Sequence, residues 1–300
     1  MSWIRESTLN CLQYLVVKIL RSGRIPRHVA FIMDGNRRYA NKQHVEKETG
    51  HVRGFDKLAE TLQWCLDLGI LEVTVYAFSI ENFKRTKEEV HTLMELARQK
   101  FQRLLDEREK LMEHGVCVRV IGNLELIPDN VRKLIAEAML ITKNNNKAFL
   151  NVAFAYTSRD EMTYAIKDIL RGVNDSNILP EDIDEDLISK CLYTYESPNP
   201  DLLIRTSGEV RLSDFLMWQV SNSCIYFADV LWPEFSAWDL FSAVFYYQRC
   251  HTDLETIPKA HNMTKHDSRV SNYLKKLYHE RQIMLQNICA TEILPCNGNK

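Results

Sequence analysis

Short apolar runs rich in β-branched residues alternate with longer amphipathic runs from residue 28 to about residue 250. The short runs have the length of buried strands, and the longer runs have the periodic apolar positions of helices. Strand–helix alternation of this kind predicts an α/β domain with a mainly parallel six-stranded sheet flanked by helices. The predicted strands are His28–Met33, Leu71–Phe78, Val116–Ile121, Ala148–Phe154, Asp201–Thr206 and Ser223–Phe227.

Amphipathic segments that follow the strands predict the helices that cover the sheet. Two of them begin with the spacing of a capping box, in which side chains satisfy backbone N–H groups at a helix start. These pairs are Thr86 with Glu89 and Ser158 with Glu161. The predicted helices are His51–Leu68, Thr86–His114, Pro128–Lys143, Ser158–Arg171, Pro180–Cys191 and Trp238–Gln248.

The two ends of the chain differ from this main domain, which we place at residues 25–250. Residues 1–24 contain the apolar segment Leu9–Leu20. Polar residues interrupt it, so an amphipathic helix fits better than a membrane span or a signal peptide. The pattern fits either a helix that packs on the fold or a helix that lies on a membrane surface, and it does not distinguish these two alternatives. Residues 251–300 are polar and predict a tail with a helix near Ser271–Ile288.

The composition is that of an ordinary globular protein, with 300 residues of which 45% are hydrophobic. The 38 Lys and Arg residues balance 40 Asp and Glu residues, and the formal net charge is -2. No global basic excess is present to bind a nucleic-acid backbone, so we expect no nucleic-acid partner. The 8 cysteines form no C-x-x-C pair, which argues against a zinc ribbon and predicts buried free thiols.

Arginine is concentrated in loops that follow four of the predicted strands. A parallel sheet places those loops at one edge, where α/β folds bind their ligands. Guanidinium groups offer planar pairs of donors that match phosphate oxygens, so the cluster predicts an anionic ligand with several phosphate groups. Gly35 and Gly208 would let backbone N–H groups approach that ligand closely. The arginines are Arg37, Arg38, Arg85, Arg159, Arg205 and Arg211.

Several residues beside these arginines have two interpretations. Asp34 is either a salt-bridge partner of arginine or a ligand that holds Mg²⁺ against a diphosphate. Asn82 is either a turn residue or a hydrogen-bonding catalytic side chain. His51 follows the first arginine-rich loop and opens a predicted helix, so it is a stronger candidate for a functional residue than the other histidines. Three apolar segments are either ordinary core or the lining of a long cavity: Leu62–Leu71, Leu93–Leu105 and Phe149–Phe154.

Four stretches of the sequence resemble signature motifs of the cis-prenyltransferases, the family of undecaprenyl and dehydrodolichyl diphosphate synthases. They have the family's order and spacing over residues 25–250, and the D-D-x-x-D motif of trans-prenyltransferases is absent. Arg37 and residues 80–83 are most similar to the catalytic subunits of eukaryotic dehydrodolichyl diphosphate synthases. The stretches are residues 28–38 (HVAFIMDGNRR), 75–85 (VYAFSIENFKR), 201–219 (DLLIRTSGEVRLSDFLMWQ) and 229–234 (DVLWPE).

The resemblance implies a fold, a reaction and roles for matching residues. A cis-prenyltransferase lengthens an allylic diphosphate, such as farnesyl diphosphate, by repeated cis addition of isopentenyl diphosphate. At the matching positions Asp34 would bind Mg²⁺ and help the allylic diphosphate depart, while Asn82 and His51 would act in catalysis or proton handling. Substrate-binding residues would be Gly35, Asn36, Arg37, Arg38 and Arg85 on the allylic side, and Arg205, Arg211 and Ser213 for isopentenyl diphosphate.

Two departures from the family pattern concern the metal site and a partner. Bacterial members have a second acidic metal ligand five residues before Asp229, where this chain has Cys224. Homodimeric members end in an R-x-G motif that contributes to a phosphate site, and the segment Pro295–Lys300 has none. Eukaryotic catalytic subunits resemble this chain and take the motif from a Nogo-B-receptor-like subunit.

The resemblance therefore implies a heteromer that makes long-chain polyprenyl diphosphate for dolichol synthesis and protein glycosylation. Such a product implies a peripheral location at the cytosolic face of the endoplasmic reticulum membrane. The alternative is a non-catalytic or regulatory subunit of the same complex that has kept the fold.

Overall fold

The structure is a computed structural model that describes residues 8–255 and 268–290. Within these residues, six strands form a single sheet. The strands are β1 (His28–Ile32), β2 (Glu72–Ser79), β3 (Val116–Ile121), β4 (Ala148–Tyr156), β5 (Leu202–Arg205) and β6 (Cys224–Phe227). Their order is β3-β4-β2-β1-β5-β6, and every neighbouring pair is parallel. The predicted α/β class with a parallel six-stranded sheet is confirmed.

Helices flank the sheet and follow the predicted alternation. In the described residues they are α1 (Cys11–Ser22), α2 (Asn36–Lys42), α3 (Lys47–Leu68), α4 (Lys87–Asp106), α5 (Arg108–His114), α6 (Asp129–Thr142), α7 (Ser158–Asn174), α8 (Glu185–Cys191), α9 (Ala237–Glu255) and α10 (Ser268–Ala290). The sequence pattern did not predict α2, and it placed the start of α3 one turn too late, at His51.

The prediction of one long helix over Thr86–His114 is wrong. The chain leaves the helical conformation at Glu107, with φ -95° and ψ 17°, and a second helix follows it. The break lets Leu111, which is 3% exposed, enter the core beside β3. Amphipathic periodicity continues through the break, so the pattern alone did not reveal it.

The predicted capping box of Ser158 and Glu161 is also wrong. The residue that caps α7 is Thr157, whose Oγ1 accepts the Asp160 N–H at 3.3 Å. Ser158 is the first helical residue, and the Glu161 side chain is fully buried rather than turned back to the helix start. Tertiary contacts have therefore taken both side chains away from the capping role that their spacing favours.

The sheet brings the ends of its central strands level with one another. Ile32 at the end of β1 pairs with Tyr76 of β2 on one side and with Arg205 of β5 on the other. Farther along the edge, Ser79 pairs with Tyr156 of β4. The four arginine-containing loops therefore leave from one edge, as predicted.

The N-terminal helix α1 is amphipathic, as predicted. Val17 and Leu20 are buried against the body of the protein, and α1 contacts α3 and α9. Leu12, Leu15 and Ile19 lie on the opposite side and are more than half exposed. The helix therefore packs on the fold with one face and presents an apolar face outward.

The helical part of residues 251–300 packs into the body of the protein. Val270, Tyr273, Leu274 and Leu277 of α10 are buried in a cluster with residues of α7 and α8. The expected boundary at residue 250 falls within α9. Residues 256–267 and 291–300 of the predicted tail lie outside the described residues.

No helix in residues 8–255 or 268–290 combines the length and apolarity that a membrane crossing requires. The cysteines in these ranges carry free thiols. Cys65, Cys117, Cys191 and Cys224 are buried as predicted, whereas Cys11 is exposed.

Candidate active site

Asp34 and Arg205 meet at the carboxyl edge of the sheet, although 171 residues separate them along the chain. Arg205 is 2% exposed, and its Nη2 donates to Asp34 Oδ2 at 2.8 Å. Its Nη1 donates to Ser213 Oγ at 2.7 Å and to the Arg211 backbone oxygen at 2.5 Å. A single buried guanidinium thus joins the loop after β1 to the loop after β5.

Gly35 makes the turn that presents Asp34. Its φ of +106° lies in the region that favours glycine, and its N–H donates to Asp34 Oδ1 at 2.7 Å. A Cβ at this position would lie 2.6 Å from Ser207 Oγ and 3.2 Å from Leu231 Cα. Both the backbone conformation and the space therefore require glycine where α2 begins.

A second set of contacts surrounds the loop after β5. Arg38 Nη1 donates to the Ser207 backbone oxygen at 2.9 Å, and Arg38 Nη2 lies 3.7 Å from Asp34 Oδ2. Arg38 and Arg211 both form ion pairs with Glu209. These half-exposed arginines are neutralised by a carboxylate that a more highly charged anion would displace.

The Gly208 N–H and the Ser207 hydroxyl of this loop differ in whether a ligand could use them. The Gly208 N–H donates to the Ala228 oxygen at 2.9 Å, so the fold itself uses the group that we expected to serve a ligand. Ser207 Oγ is buried and has no hydrogen-bond partner among the described residues. This hydroxyl lies against Gly35 and is therefore a polar group available to a bound anion.

Arg37, Arg85, Glu89 and His51 form an adjacent group between α2, α3 and α4. Glu89 Oε1 lies 2.9 Å from Arg85 Nη1 and 3.9 Å from Arg37 Nη1. Burial, and after it the charge of Arg85, lower the pKa of His51 from 6.5 to about 4. His51 is thus neutral near pH 7, and its Nε2 is buried without a hydrogen-bond partner among the described residues.

The two asparagines of the motifs shape the backbone of the site. Asn82 Oδ1 accepts the Ser79 N–H at 3.0 Å and so fixes the short helical turn after β2, which supports the turn interpretation. Asn36 is the first residue of α2, and its side chain lies against α3, where a Cβ on Gly54 would be 2.2 Å from Asn36 Oδ1. That buried oxygen has no hydrogen-bond partner among the described residues.

An apolar cavity of about 130 Å³ adjoins His51 and Asn36. Two of the three predicted apolar segments contribute to its wall, through residues that include Leu93, Phe101 and Phe154. The third segment lies elsewhere: Leu62 and Leu66 line a separate cavity of about 60 Å³. The site therefore combines a cationic mouth with an apolar interior. The cavity is lined by two of the three segments that were considered for a long cavity.

The structure brings most of the predicted site residues to one edge. Asp34, Gly35, Arg38, Arg205 and Ser213 are linked by direct contacts, and Arg85 and Arg37 meet at Glu89. Arg159 is engaged elsewhere, since its Nε donates to Asp214 at 2.7 Å. Sequence reasoning missed Glu89 and Glu209. A carboxylate four residues after Arg85 is the pattern that points to Glu89.

Asp34 is the predicted protein ligand of Mg²⁺. Its side chain is one-third exposed, and in the described residues no group of three or more His, Cys, Asp or Glu side chains is arranged to hold a metal ion. Mg²⁺ often binds through one or two carboxylates with substrate phosphates and water, so Asp34 fits this mode. Cys224 does not join it: it starts β6 opposite Leu202, at the other end of the strands, and burial raises the pKa of its thiol to about 12.

A family model described as "Putative undecaprenyl diphosphate synthase" matches residues 32–254. The chain belongs to this family, the cis-prenyltransferases. The expected family is thereby confirmed, and the chain is a transferase.

Individual relatives extend this finding. The human dehydrodolichyl diphosphate synthase complex subunit is 59% identical over 255 residues, which are 85% of this chain and 77% of the human protein. The tritrans,polycis-undecaprenyl-diphosphate synthase (geranylgeranyl-diphosphate specific) of Pyrococcus abyssi is 48% identical over 237 residues, 79% of this chain and 89% of its own. Lavandulyl diphosphate synthase from Lavandula x intermedia, solved in complex with dimethylallyl diphosphate, superposes with a TM-score of 0.71 and 32% identity, covering 75% of this chain and 95% of that chain.

Proposed function

We propose that this chain is the catalytic subunit of a cis-prenyltransferase that adds isopentenyl diphosphate units in cis to farnesyl diphosphate. The product would be a long-chain polyprenyl diphosphate of the dehydrodolichyl type. The observation that carries the proposal is the hydrogen-bonded series Asp34–Arg205–Ser213 beside the group of Arg37, Arg38 and Arg85. Similarity to the human dehydrodolichyl diphosphate synthase complex subunit supports the product class.

Ionisation of an allylic diphosphate moves negative charge onto the departing diphosphate. Arg37 and Arg38 are half-exposed at the mouth of the site, and the less exposed Arg85 shares Glu89 with Arg37. Fixed guanidinium groups at this position stabilise that charge as it develops, which lowers the barrier to departure. The isoprenoid tail would enter the apolar cavity beside His51.

The second diphosphate would be held on the other side of Asp34. Arg205 is oriented by Ser213 and by the backbone of residue 211, so its guanidinium plane is fixed before any ligand binds. Arg211 is exposed and would exchange its pairing with Glu209 for the diphosphate. Such an arrangement would place the double bond of isopentenyl diphosphate next to the ionising carbon, which would convert an encounter of two molecules into a reaction within one complex.

Bond formation leaves a carbocation that becomes an alkene by losing a proton. His51 is neutral near pH 7, and its buried Nε2 has no partner among the described residues. We assign to this nitrogen the holding or relay of that proton. Asn82 would act by its amide N–H group, because its oxygen holds the Ser79 backbone.

Mg²⁺ is the proposed cofactor, with Asp34 as its protein ligand on the allylic diphosphate. The ion would neutralise charge on the diphosphate as it leaves. Hydrogen bonds from the Gly35 N–H to Oδ1 and from Arg205 to Oδ2 orient the Asp34 carboxylate for this role.

A partner subunit and a membrane surface are proposed to complete the enzyme. The partner would be a Nogo-B-receptor-like subunit that supplies an R-x-G motif. In the described residues β6 is an edge strand with one side unpaired. On the neighbouring helix α9, Trp238, Phe245 and Tyr246 are exposed. An open strand edge beside exposed aromatic side chains supports docking of another chain there.

The membrane would be contacted by the exposed apolar face of α1, at the cytosolic side of the endoplasmic reticulum. Leu12, Leu15 and Ile19 lie on that face, and exposed Lys18 and Arg21 add positive charge near it. Replacing Leu12 and Ile19 by Ser should reduce flotation with anionic vesicles. The matched change of exposed Leu170 on α7 to Ser should not, and equal flotation of both variants would refute this contact.

The proposed reaction is tested by incorporation of labelled isopentenyl diphosphate in the presence of farnesyl diphosphate and Mg²⁺. The full chain is assayed alone and co-purified with the partner, with a control partner whose R-x-G arginine is replaced by Ala. We expect cis-linked product that requires Mg²⁺ and increases with the intact partner. Incorporation by neither preparation would overturn the proposed activity, and equal turnover with and without the partner would overturn the heteromer.

A further inference from the structure

The most deeply buried carboxylate near the site is Glu161, which has no part in the reaction described above. It is 0% exposed, and four uncharged donors bind it. Oε2 accepts from Tyr156 Oη at 2.5 Å and from Gln219 Nε2 at 2.9 Å. Oε1 accepts from the N–H and the hydroxyl of Thr194, both at 3.1 Å.

These donors come from three separate parts of the chain. Tyr156 ends β4, Thr194 follows α8, and Gln219 lies in the loop between β5 and β6. Gln219 Nε2 also donates to Thr194 Oγ1 at 2.7 Å, which closes the network on itself. Glu161 therefore fastens the far end of the loop that carries Arg211 and Ser213 to the start of α7.

The same loop is bound to the start of α7 by its near end. Ser158 N–H donates to the Asp214 oxygen at 2.8 Å, and Ser158 Oγ accepts the Met217 N–H at 3.0 Å. Tyr76 Oη donates to the Ser213 oxygen at 3.3 Å, and its ring stacks on Phe215 at 4.5 Å. Every one of these contacts restrains residues 213–219.

The loop needs such restraint because its backbone is unusual. Ser207, Ser213, Asp214 and Leu216 all have positive φ values, between 48° and 87°. Residues other than glycine rarely adopt this conformation and hold it only where the surroundings determine it. Ser213 is among them, and its Oγ is the acceptor that orients Arg205.

We propose that Glu161, acting through Gln219, is a positioning residue for the isopentenyl diphosphate subsite. It holds residues 213–219 in the strained conformation that places Ser213 against Arg205. This inference rests on the proposed two-substrate reaction. The allylic arginines Arg37 and Arg38 are carried by α2 instead. Arg38 contacts the loop only near its start, at the Ser207 backbone oxygen and Glu209, away from the residues that Glu161 and Ser158 hold.

Asp168 supplies a matched control on the same helix. It is also buried, at 7% exposed, and it accepts from Arg171 Nη2 at 3.1 Å and from Arg281 Nη2 at 2.9 Å. Its partners lie on α7 and α10 and not in residues 207–219. Loss of Asp168 therefore tests the effect of disrupting a buried network of α7 without releasing the loop.

The experiment compares Glu161→Gln, Glu161→Ala, Gln219→Ala and Asp168→Asn in the full chain, with partner if wild-type turnover requires it. We expect Glu161→Ala and Gln219→Ala to raise KM for isopentenyl diphosphate roughly 10- to 100-fold, because small displacements of a binding group have effects of this order. KM for farnesyl diphosphate should change less than about twofold in these variants. Glu161→Gln keeps one acceptor oxygen and should be milder, and Asp168→Asn should change neither KM.

Hydrogen–deuterium exchange gives a second readout that does not depend on activity. Backbone amides of residues 213–219 should exchange faster in Glu161→Ala and Gln219→Ala than in wild type, and at wild-type rate in Asp168→Asn. Folded Glu161→Gln and Gln219→Ala proteins with unchanged exchange in this loop and unchanged KM values would overturn the inference while leaving the proposed reaction intact. A wild-type enzyme without any incorporation would overturn the proposed reaction, and the exchange rates would still decide whether Glu161 holds the loop.

Discussion

Asp34 Oδ2 lies 2.8 Å from Nη2 of Arg205, and this carboxylate is the counterion of a guanidinium that is 2% exposed. The sequence leaves two alternative roles for Asp34, salt-bridge partner and metal ligand. The structure shows the salt bridge, and the side chain could also bind a metal ion, so the two roles do not exclude each other. A residue that serves only a ligand can be removed without harm to the fold. Asp34 is different, because its loss leaves the buried Arg205 guanidinium without a counterion.

Replacing Asp34 should therefore affect both turnover and stability. We expect Asp34→Ala to abolish turnover and to lower the free energy of unfolding by about 1–3 kcal/mol, the range for leaving a buried polar group unpaired. Asp34→Asn retains an acceptor for Arg205 and should regain most of the stability but not the turnover. Urea unfolding measures the stability, and Glu95→Ala, which removes an exposed ion pair with Arg98, is the control with an expected loss below about 1 kcal/mol. Wild-type turnover of Asp34→Ala would refute its role.

Arg205→Lys tests the geometry of the guanidinium rather than its charge. One ammonium group cannot reach Asp34, Ser213 and the backbone of residue 211 together as the planar guanidinium does. KM for isopentenyl diphosphate should rise about tenfold or more, equivalent to about 1.4 kcal/mol of lost binding. Steady-state kinetics with Arg98→Lys as control measure this change, and an unchanged KM would count against the assignment of Arg205.

His51 predicts a dependence of stability on pH. Its pKa in the folded protein, about 4, lies below its ordinary value of 6.5, because burial and Arg85 disfavour the charged ring. Its contribution to stability is therefore complete above pH 6.5 and is lost as the pH falls towards 4, with a slope of up to about 1.4 kcal/mol per pH unit. Burial also lowers the pKa of His28, so the wild-type protein has this second acid-sensitive group.

The measurement is the free energy of unfolding at several pH values in wild type and His51→Gln. The variant should lose the part of the slope due to His51 and keep the remainder. An imidazole resonance of His51 that titrates near pH 6.5 in the wild-type protein would contradict the burial of its charge.

Gly54→Ala tests the close packing of α2 on α3. The new Cβ would lie 2.2 Å from Asn36 Oδ1 and 3.1 Å from Trp232 Cδ1, so the Asn36 side chain would have to leave its place between α2 and α3 beside the site. We expect a loss of about 1–3 kcal/mol of stability and a clear loss of turnover. Gly69→Ala at the other end of α3 is the control: nothing lies within 4 Å of its Cβ, and its φ of +87° should cost about 1–2 kcal/mol without affecting turnover. Equal turnover in the two variants would show that the packing does not position the site.

The sequence predicted those features of the fold that depend on local pattern and on the rules of parallel sheets. Runs such as residues 28–33 and 148–154 are apolar because strands at the centre of the sheet are buried on both faces. The arginine-rich loops could be assigned to one edge because parallel strands end together. The motif around Asp34 pointed to the correct residues for the same reason, since they follow a strand directly.

Features that depend on contacts between distant segments were not predictable in this way. The two carboxylates that hold the arginines, Glu89 and Glu209, are ordinary surface residue types, and their roles follow from where α4 and the loop after β5 come to lie. Glu161 had the spacing of a helix cap, yet its side chain is buried and accepts from four donor groups of Tyr156, Thr194 and Gln219. Cys224 aligned with a metal-ligand position of the family, and the register of β6 places it at the far end of the strand.

Transfer of labelled isopentenyl diphosphate to farnesyl diphosphate, measured side by side in wild type and Asp34→Ala with Mg²⁺ and the partner present, is the most direct test. The arrangement of Asp34, Arg205 and Ser213 predicts cis-linked polyprenyl diphosphate from the wild-type enzyme and at least about a hundredfold less from the variant. Failure of the wild-type enzyme to form product, or equal product from both proteins, would contradict it.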